Sequence, residues 1–166
     1  MTGRVVALHI SPKHKGEMSS LQEARAIENL GLAGDRYAKP GSSRQVLLFE
    51  AEVLRDLDLP PGSARENILV EGFPLMRGSV GTRLRFGEAV LEVTQECEPC
   101  RRLEEVRPGL RELLNGRRGM LARVLHGGRI SVGDPVVPEA ERAQCPPGTG
   151  PRGRDDKEYG VGPSRV

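Results

Sequence analysis

The stretch Leu84-Arg85-Phe86-Gly87-Glu88-Ala89-Val90-Leu91-Glu92-Val93-Thr94-Gln95-Glu96-Cys97-Glu98-Pro99-Cys100 decides how this chain is read. Apolar residues lie on both sides of Gly87-Glu88, and a two-residue link that begins with glycine tolerates the positive φ of a tight hairpin. The second strand runs through Thr94 directly into a Cys-x-x-Cys segment. One segment therefore predicts antiparallel sheet and delivers two thiols to a strand end.

Toward the N-terminus the same signals recur. Asn67-Ile68-Leu69-Val70 is a short apolar strand closed by Glu71-Gly72, and Arg44-Gln45-Val46-Leu47-Leu48-Phe49 is another. Val53, Leu54 and Leu57 fall at helical spacing after it, until Pro60-Pro61-Gly62 ends the helix. Val5 to Ile10 reads as a buried strand stopped by Ser11-Pro12, and Gly34-Asp35 as a turn whose aspartate can bond to backbone amides. Toward the C-terminus, Leu103, Val106, Leu110, Leu113 and Leu114 predict one kinked helix or two short ones, broken at Pro108-Gly109. Met120 to Leu125 and Ile130 to Val137, joined at His126-Gly127-Gly128, predict a closing hairpin. Many short strands, few helices and abundant turn glycines add up to a mainly β fold, an irregular β-barrel with a few short helices.

The chain has 166 residues, 37% of them hydrophobic, with 21 glycines, which suits one globular domain with a core of its own. Composition shifts beyond Pro138. Residues 139–166 carry five acidic and five basic residues among glycines and prolines, with no apolar period, so the folded domain is expected over 1–138 and a disordered charged tail over 139–166. No window approaches the roughly 18 apolar residues of a membrane span, and the opening Met-Thr-Gly-Arg-Val-Val-Ala lacks a signal-peptide pattern. The expectation is a cytoplasmic protein with no membrane partner. The balance of 25 basic against 23 acidic residues, with five aromatics and no Trp, gives neither the charge footprint nor the stacking platform of a nucleic-acid binder. Nor is an internal repeat visible.

Three cysteines, an odd number without a secretory signal, suggest reduced thiols rather than disulfides. Cys97 and Cys100 form the pair, and Cys145 lies in the tail region. Because the helical pattern starts just after Cys100, this thiol would sit near a helix N-terminus beside Arg101 and Arg102, which favours the thiolate, while Glu96 and Glu98 oppose it. A structural zinc site would need two further ligands, and His9, His14, His126 and Cys145 stand in no paired spacing. A thioredoxin-like site belongs to a βαβ setting, and the bland alternative is that both cysteines are buried fillers. Arg65-Glu66-Asn67 and Ser42-Ser43-Arg44-Gln45 each place an arginine and small polar groups at a strand mouth, equipment for a phosphate-bearing ligand. Arg117-Arg118-Gly119 could add to such a site, although a basic pair after a helix commonly serves only the helix C-terminus. His126 reads as part of the hairpin turn, with no catalytic partner.

Taken in order, Gly34-Asp35-Arg36-Tyr37, Arg44-Gln45-Val46, Arg65-Glu66-Asn67-Ile68, Gly81 with Leu84, Gly87 through Thr94, Pro99-Cys100, Gly119 with Val124 and Gly128 through Asp134 resemble the MOSC domain family, the molybdenum cofactor sulfurase C-terminal domains, over roughly residues 3–138. The likeness is to the small stand-alone bacterial type, whose cysteine is preceded by a second one, and it implies a barrel akin to that of pyruvate kinase. By that resemblance Cys100 would be the reactive or metal-ligating thiol, carrying sulfur as a persulfide or binding molybdenum directly, with Cys97 as its auxiliary. Ser43, Arg44, Arg65 and Asn67 would contact the molybdenum cofactor (molybdopterin). At Glu98 the chain departs from the amidoxime-reducing relatives, which carry an arginine there. The domain that binds pyridoxal phosphate in full sulfurases has no counterpart, so the resemblance implies that this chain does not bind pyridoxal phosphate itself. It would take sulfur from a cysteine desulfurase or other donor and pass it to the molybdenum cofactor or a molybdoenzyme acceptor. The alternatives within the resemblance are a molybdopterin-binding or delivery module without chemistry, and sulfur transfer for metal–sulfur cluster assembly.

Removal of the tail from about Glu139 should leave the melting temperature nearly unchanged, since its few apolar residues cannot offset an ordering cost of roughly 1–2 kcal/mol per residue. A thermal melt of the truncated chain checks this, and a drop of many degrees would show the tail docked on the barrel.

Overall fold

A computed structural model describes residues 2–13 and 16–139. The expected tail and Cys145 lie outside those residues, apart from Glu139, whose carboxylate accepts two hydrogen bonds of 2.9 Å from Arg85. The strands run in chain order as β1 (Gly3–Ile10), β2 (Ser19–Leu21), β3 (Glu23–Ile27), β4 (Gly31–Leu32), β5 (Val46–Glu50), β6 (Ile68–Glu71), β7 (Arg83–Phe86), β8 (Ala89–Glu96), β9 (Met120–His126), β10 (Gly128–Ser131) and β11 (Pro135–Pro138). Three short helices intervene, α1 (Ala51–Asp56), α2 (Arg102–Val106) and α3 (Leu110–Leu113), with a 3-10 turn at Leu75–Arg77.

Neighbouring strands follow the order β11, β7, β8, β9, β5, β6, β1, and β11 pairs back onto β1, so seven strands close into a barrel. Closure leaves no edge among these seven; β2 merely extends β1. The predicted hairpin is present, with Phe86 opposite Ala89 and Gly87 at φ 56.

The position of strand β5 explains why its sequence is apolar from Val46 through Phe49. Val46 and Leu48 join the main core inside the barrel, while Phe49 belongs to a second cluster with Leu54, Leu69, Leu103 and Leu110, beneath the helices. A strand buried on both faces reads as a continuous hydrophobic run. Its partner β6 does the same, with Ile68 and Val70 inward and Leu69 outward, and the two strands are parallel.

The break at Pro108-Gly109 produces two helices rather than one kinked helix, with Gly109 at φ 83. One expectation is overturned: no closing hairpin forms after His126. Strand β9 pairs with β8 and β5, β10 leaves the barrel to pair with β3, and β11 seals the barrel between β1 and β7. The reason is close passage rather than a turn. A Cβ on Gly127 would meet the Ala26 carbonyl oxygen at 2.8 Å, and one on Gly128 would meet the Glu88 side chain at 2.6 Å, so the two glycines thread the chain between neighbours.

Gly119 enters β9 with φ 97, and a Cβ there would fall against the Leu48 carbonyl oxygen; Gly81 has a similar φ of 91 with open space around it. Gly81→Ala should therefore cost about 1 kcal/mol, the backbone term alone, and Gly119→Ala about 1–3 kcal/mol more. Denaturant unfolding of the two variants checks the difference, and equal costs would contradict the close approach.

Candidate thiol cavity

Two of the polar residues that sequence reasoning assigned to ligand contact also hold the barrel together at one end. Asn67 is buried at the start of β6, and its Oδ1 accepts a 2.9 Å hydrogen bond from the Leu47 amide of β5. Its Nδ2 donates to the His9 carbonyl of β1 at 3.1 Å and to Asp35 Oδ2 at 3.4 Å. Asp35, in turn, accepts from the Ser11 amide at 2.9 Å, so the turn aspartate does bond to backbone, but across the fold. Burial raises its pKa, against the pull of these bonds and of Arg65. Arg65 sits at φ 59, and its guanidinium donates to the Gly16 carbonyl at 3.1 Å and the Ser11 hydroxyl at 3.0 Å.

Above this frame opens a cavity of about 490 Å³. Arg36, Lys39, Arg44, Arg65, Arg102 and Arg118 line it against one carboxylate, Glu98. Such a surplus of cations in a concave site favours an anion. Both thiols of the Cys-x-x-Cys segment are free and line the same cavity. Cys100 is exposed. Its carbonyl accepts the Leu103 amide at 3.1 Å, one residue ahead of the Arg101 cap of α2. Cys97 is buried between Leu47 and Leu121, and its amide donates to the Gly119 carbonyl at 2.9 Å. Burial pushes the Cys97 thiol up, Arg118 and Arg44 pull it down, and Cys100 and Glu98 add smaller upward contributions. The contribution of Glu98 to Cys97 is thus secondary to burial.

The cavity brings together Cys97, Cys100, Arg44, Arg65 and Asn67. Ser43 is exposed and not in the lining, and its carbonyl takes the Thr94 hydroxyl; its neighbour Ser42 lines the cavity instead and accepts the Arg44 amide at 3.0 Å. Sequence reasoning treated Arg117 and Arg118 as one pair, and the fold separates them. Arg117 donates to the Leu113 carbonyl at 3.0 Å, serving the end of α3, whereas Arg118 is 5% exposed and lines the cavity. Nothing local distinguishes the two, since the Cys97–Gly119 backbone bond that draws Arg118 inward joins residues far apart in sequence. Arg36, Tyr37, Lys39 and Arg102 also line the cavity without having been assigned to ligand contact from sequence, and the half-exposed Tyr37 hydroxyl accepts from Arg102 at 3.4 Å.

A closed barrel bearing a cation-lined cavity with a buried and an exposed thiol defines the class. The family model of the MOSC domain matches residues 35–137, and the chain belongs to that family, which is associated with molybdenum cofactor and sulfur-related functions. Among solved structures, the YuaD protein from Bacillus subtilis is similar at 22% identity, over 82% of this chain and 94% of that one, with a TM-score of 0.70. YiiM from Geobacillus stearothermophilus (19% identity, 82% and 75% covered, TM-score 0.68) and YiiM from Escherichia coli (22%, 82% and 70%, TM-score 0.63) share the fold. No curated protein matches by sequence. Among the described residues no helix is long and apolar enough to cross a membrane, and no group of three or more His, Cys, Asp or Glu is placed to hold a metal.

With limiting iodoacetamide near neutral pH, Cys100 should be alkylated well before Cys97. The Cys97 rate should still climb with pH where an ordinary thiol, with a pKa of about 8.5, has levelled. Peptide mass spectrometry over a pH series reads both, and faster labelling of Cys97 would contradict the exposure and burial assigned to the two thiols.

Proposed function

We propose that this chain is a sulfur carrier that holds sulfur as a persulfide on Cys100 and passes it to an anionic acceptor seated in the cavity. The observation that supports this best is the shared cavity, which places an exposed thiol and a buried one among six cationic side chains. In the loading step the Cys100 thiolate attacks the outer sulfur of a donor persulfide on a cysteine desulfurase or comparable partner. A new S–S bond forms at Cys100, the donor S–S bond breaks, and the donor leaves as its thiolate. The exposed side chain is accessible to such a macromolecular donor, and Arg102 lies close by in the same wall.

The acceptor on this reading is the molybdenum cofactor or a molybdoenzyme that carries it. The residues present suit such a group: cations for a phosphate, a thiolate soft enough for molybdenum, and apolar walls at Leu47 and Leu121. For release, the Cys97 thiolate would attack the inner sulfur of the Cys100 persulfide, so that a Cys97–Cys100 S–S bond forms, the outer S–S bond breaks and sulfide leaves. When bound, the cofactor would supply a metal centre able to take that sulfide or a thiolate ligand. Since the protein offers no cluster of its own ligands among the described residues, a metal would arrive within its organic chelate, and Cys100 would be its protein ligand. A second reading, binding or delivery without sulfur transfer, is favoured by the same cations acting alone. Reduced, free thiols and the thiol-based chemistry suit a cytoplasmic setting.

Incubation with a cysteine desulfurase and cysteine should add one sulfur to the Cys100 peptide in intact and peptide mass spectra. Cys100→Ser should abolish the adduct, while Cys97→Ser should retain part of it. Full loading of Cys100→Ser, or no loading of the native protein, would remove the sulfur-carrier reading and leave the binding-module reading.

A further inference from the structure

Arg118 is the buried one among the six cations of this cavity, and the reading above gives it no role of its own. Arg118 is 5% exposed and its guanidinium lies 6.0 Å from the Phe49 ring centroid, yet neither Nε nor Nη1 has a hydrogen-bond partner among the described residues. Buried guanidinium donors are ordinarily satisfied, so two unpartnered ones on a residue that lines the cavity point to an acceptor that arrives with a ligand. Of the two arginines that the resemblance assigned to cofactor contact, Arg44 is exposed and Arg65 is largely committed within the protein. Arg65 spends Nη1 and Nη2 on Gly16 and Ser11, which leaves only its Nε without a partner among the described residues, and the Asn67 amide is committed to Leu47, His9 and Asp35.

The charge of Arg118 has one deeply buried counterpart. Glu66 is 0% exposed, accepts the Gly62 amide and feels the field of Arg118, while its Oε2 has no partner. His9 stands beside Glu66, with Nδ1 3.9 Å from Oε1 and burial lowering its pKa. Burial raises the Glu66 pKa, against the pull of the Gly62 amide and of Arg118, and Glu66 leaves the unpartnered Arg118 donors unused.

We propose that Arg118 is the anion seat of the cavity, binding the oxyanion of a phosphate-type ligand through its open guanidinium donors beside Cys97. The inference rests on the cavity identified above as the acceptor site, but not on sulfur transfer. The class follows from chemistry: a guanidinium prefers planar or tetrahedral oxyanions, and six cations against one carboxylate suit a doubly charged group better than a single carboxylate. Such a group could be a free oxyanion or the phosphate monoester of a larger molecule.

Calorimetry with inorganic phosphate and with phenyl phosphate tests this on the native chain and on Arg118→Gln, Arg118→Lys and Arg117→Ala. Arg118→Gln should weaken phosphate binding by about ten- to a hundredfold, the range of a lost charge-assisted hydrogen bond. Arg118→Lys should recover part of that loss, and Arg117→Ala should stay within about twofold of native, since that residue is held at the end of α3. Tighter binding of phenyl phosphate than of inorganic phosphate assigns the seat to an organic monoester; the reverse assigns it to a free oxyanion. Native affinity in Arg118→Gln, or no saturable binding of either probe to the native protein, overturns the proposal. Should the Arg118 variants fail to fold, phenylglyoxal labelling of the native protein decides instead: saturating phosphate should protect the Arg118 peptide, and equal labelling with and without phosphate overturns the seat. Persulfide loading is read separately, so phosphate binding without loading would sink the sulfur reading alone, and loading without phosphate binding would sink the seat alone.

Discussion

The Asn67 side chain is the constraint on which the site depends. Its amide ties β5 through Leu47, β1 through His9 and the Asp35 turn, and the backbone adds bonds from the Asn67 amide to Leu47 and from the His9 amide to Asn67. These groups lie at the end of the barrel where the parallel β5–β6 pair meets β1, so an unmatched polar atom there would be buried. Losing one partner of a buried hydrogen bond costs about 1–3 kcal/mol, more than the net gain of making it, and that asymmetry fixes the strand ends in place. The cavity inherits the precision. Leu47 lines it, Asp35 anchors the turn that carries Arg36 and Tyr37, and Ser11 donates its amide to Asp35 while its hydroxyl accepts from Arg65.

Holding Arg65 in the left-handed region costs about 1–2 kcal/mol for a residue with a Cβ. The strain is offset by two side-chain hydrogen bonds and the attraction of Asp35. One consequence is a division of labour within the Arg65-Glu66-Asn67 segment: the arginine and asparagine brace the frame, and the buried glutamate faces the charge of Arg118.

Much of the fold was legible because local signals and tertiary outcome agree. The Gly87-Glu88 hairpin, the doubly apolar β5 and the helix break at Pro108-Gly109 all appear where periodicity and turn chemistry put them. The end of the chain was not legible, since the Gly127-Gly128 pair that resembles a hairpin turn instead lets β10 pass close to β3 and Glu88. In the site, the Cys-x-x-Cys motif gave both thiols, and the strand mouths gave Arg44 and Arg65. Ser42 in place of Ser43, and Arg118 apart from Arg117, turn on one-residue differences in direction that only long-range pairing sets.

What emerges is a single chamber lined by an exposed thiol and a buried cation, which on the proposed reading act on one ligand. The most direct test is the rate of Cys100 alkylation by iodoacetamide as phenyl phosphate is titrated in. If thiol and anion seat share the chamber, the rate falls saturably, with half-protection at the calorimetric Kd. An unchanged Cys100 rate at full occupancy by phenyl phosphate would contradict the account.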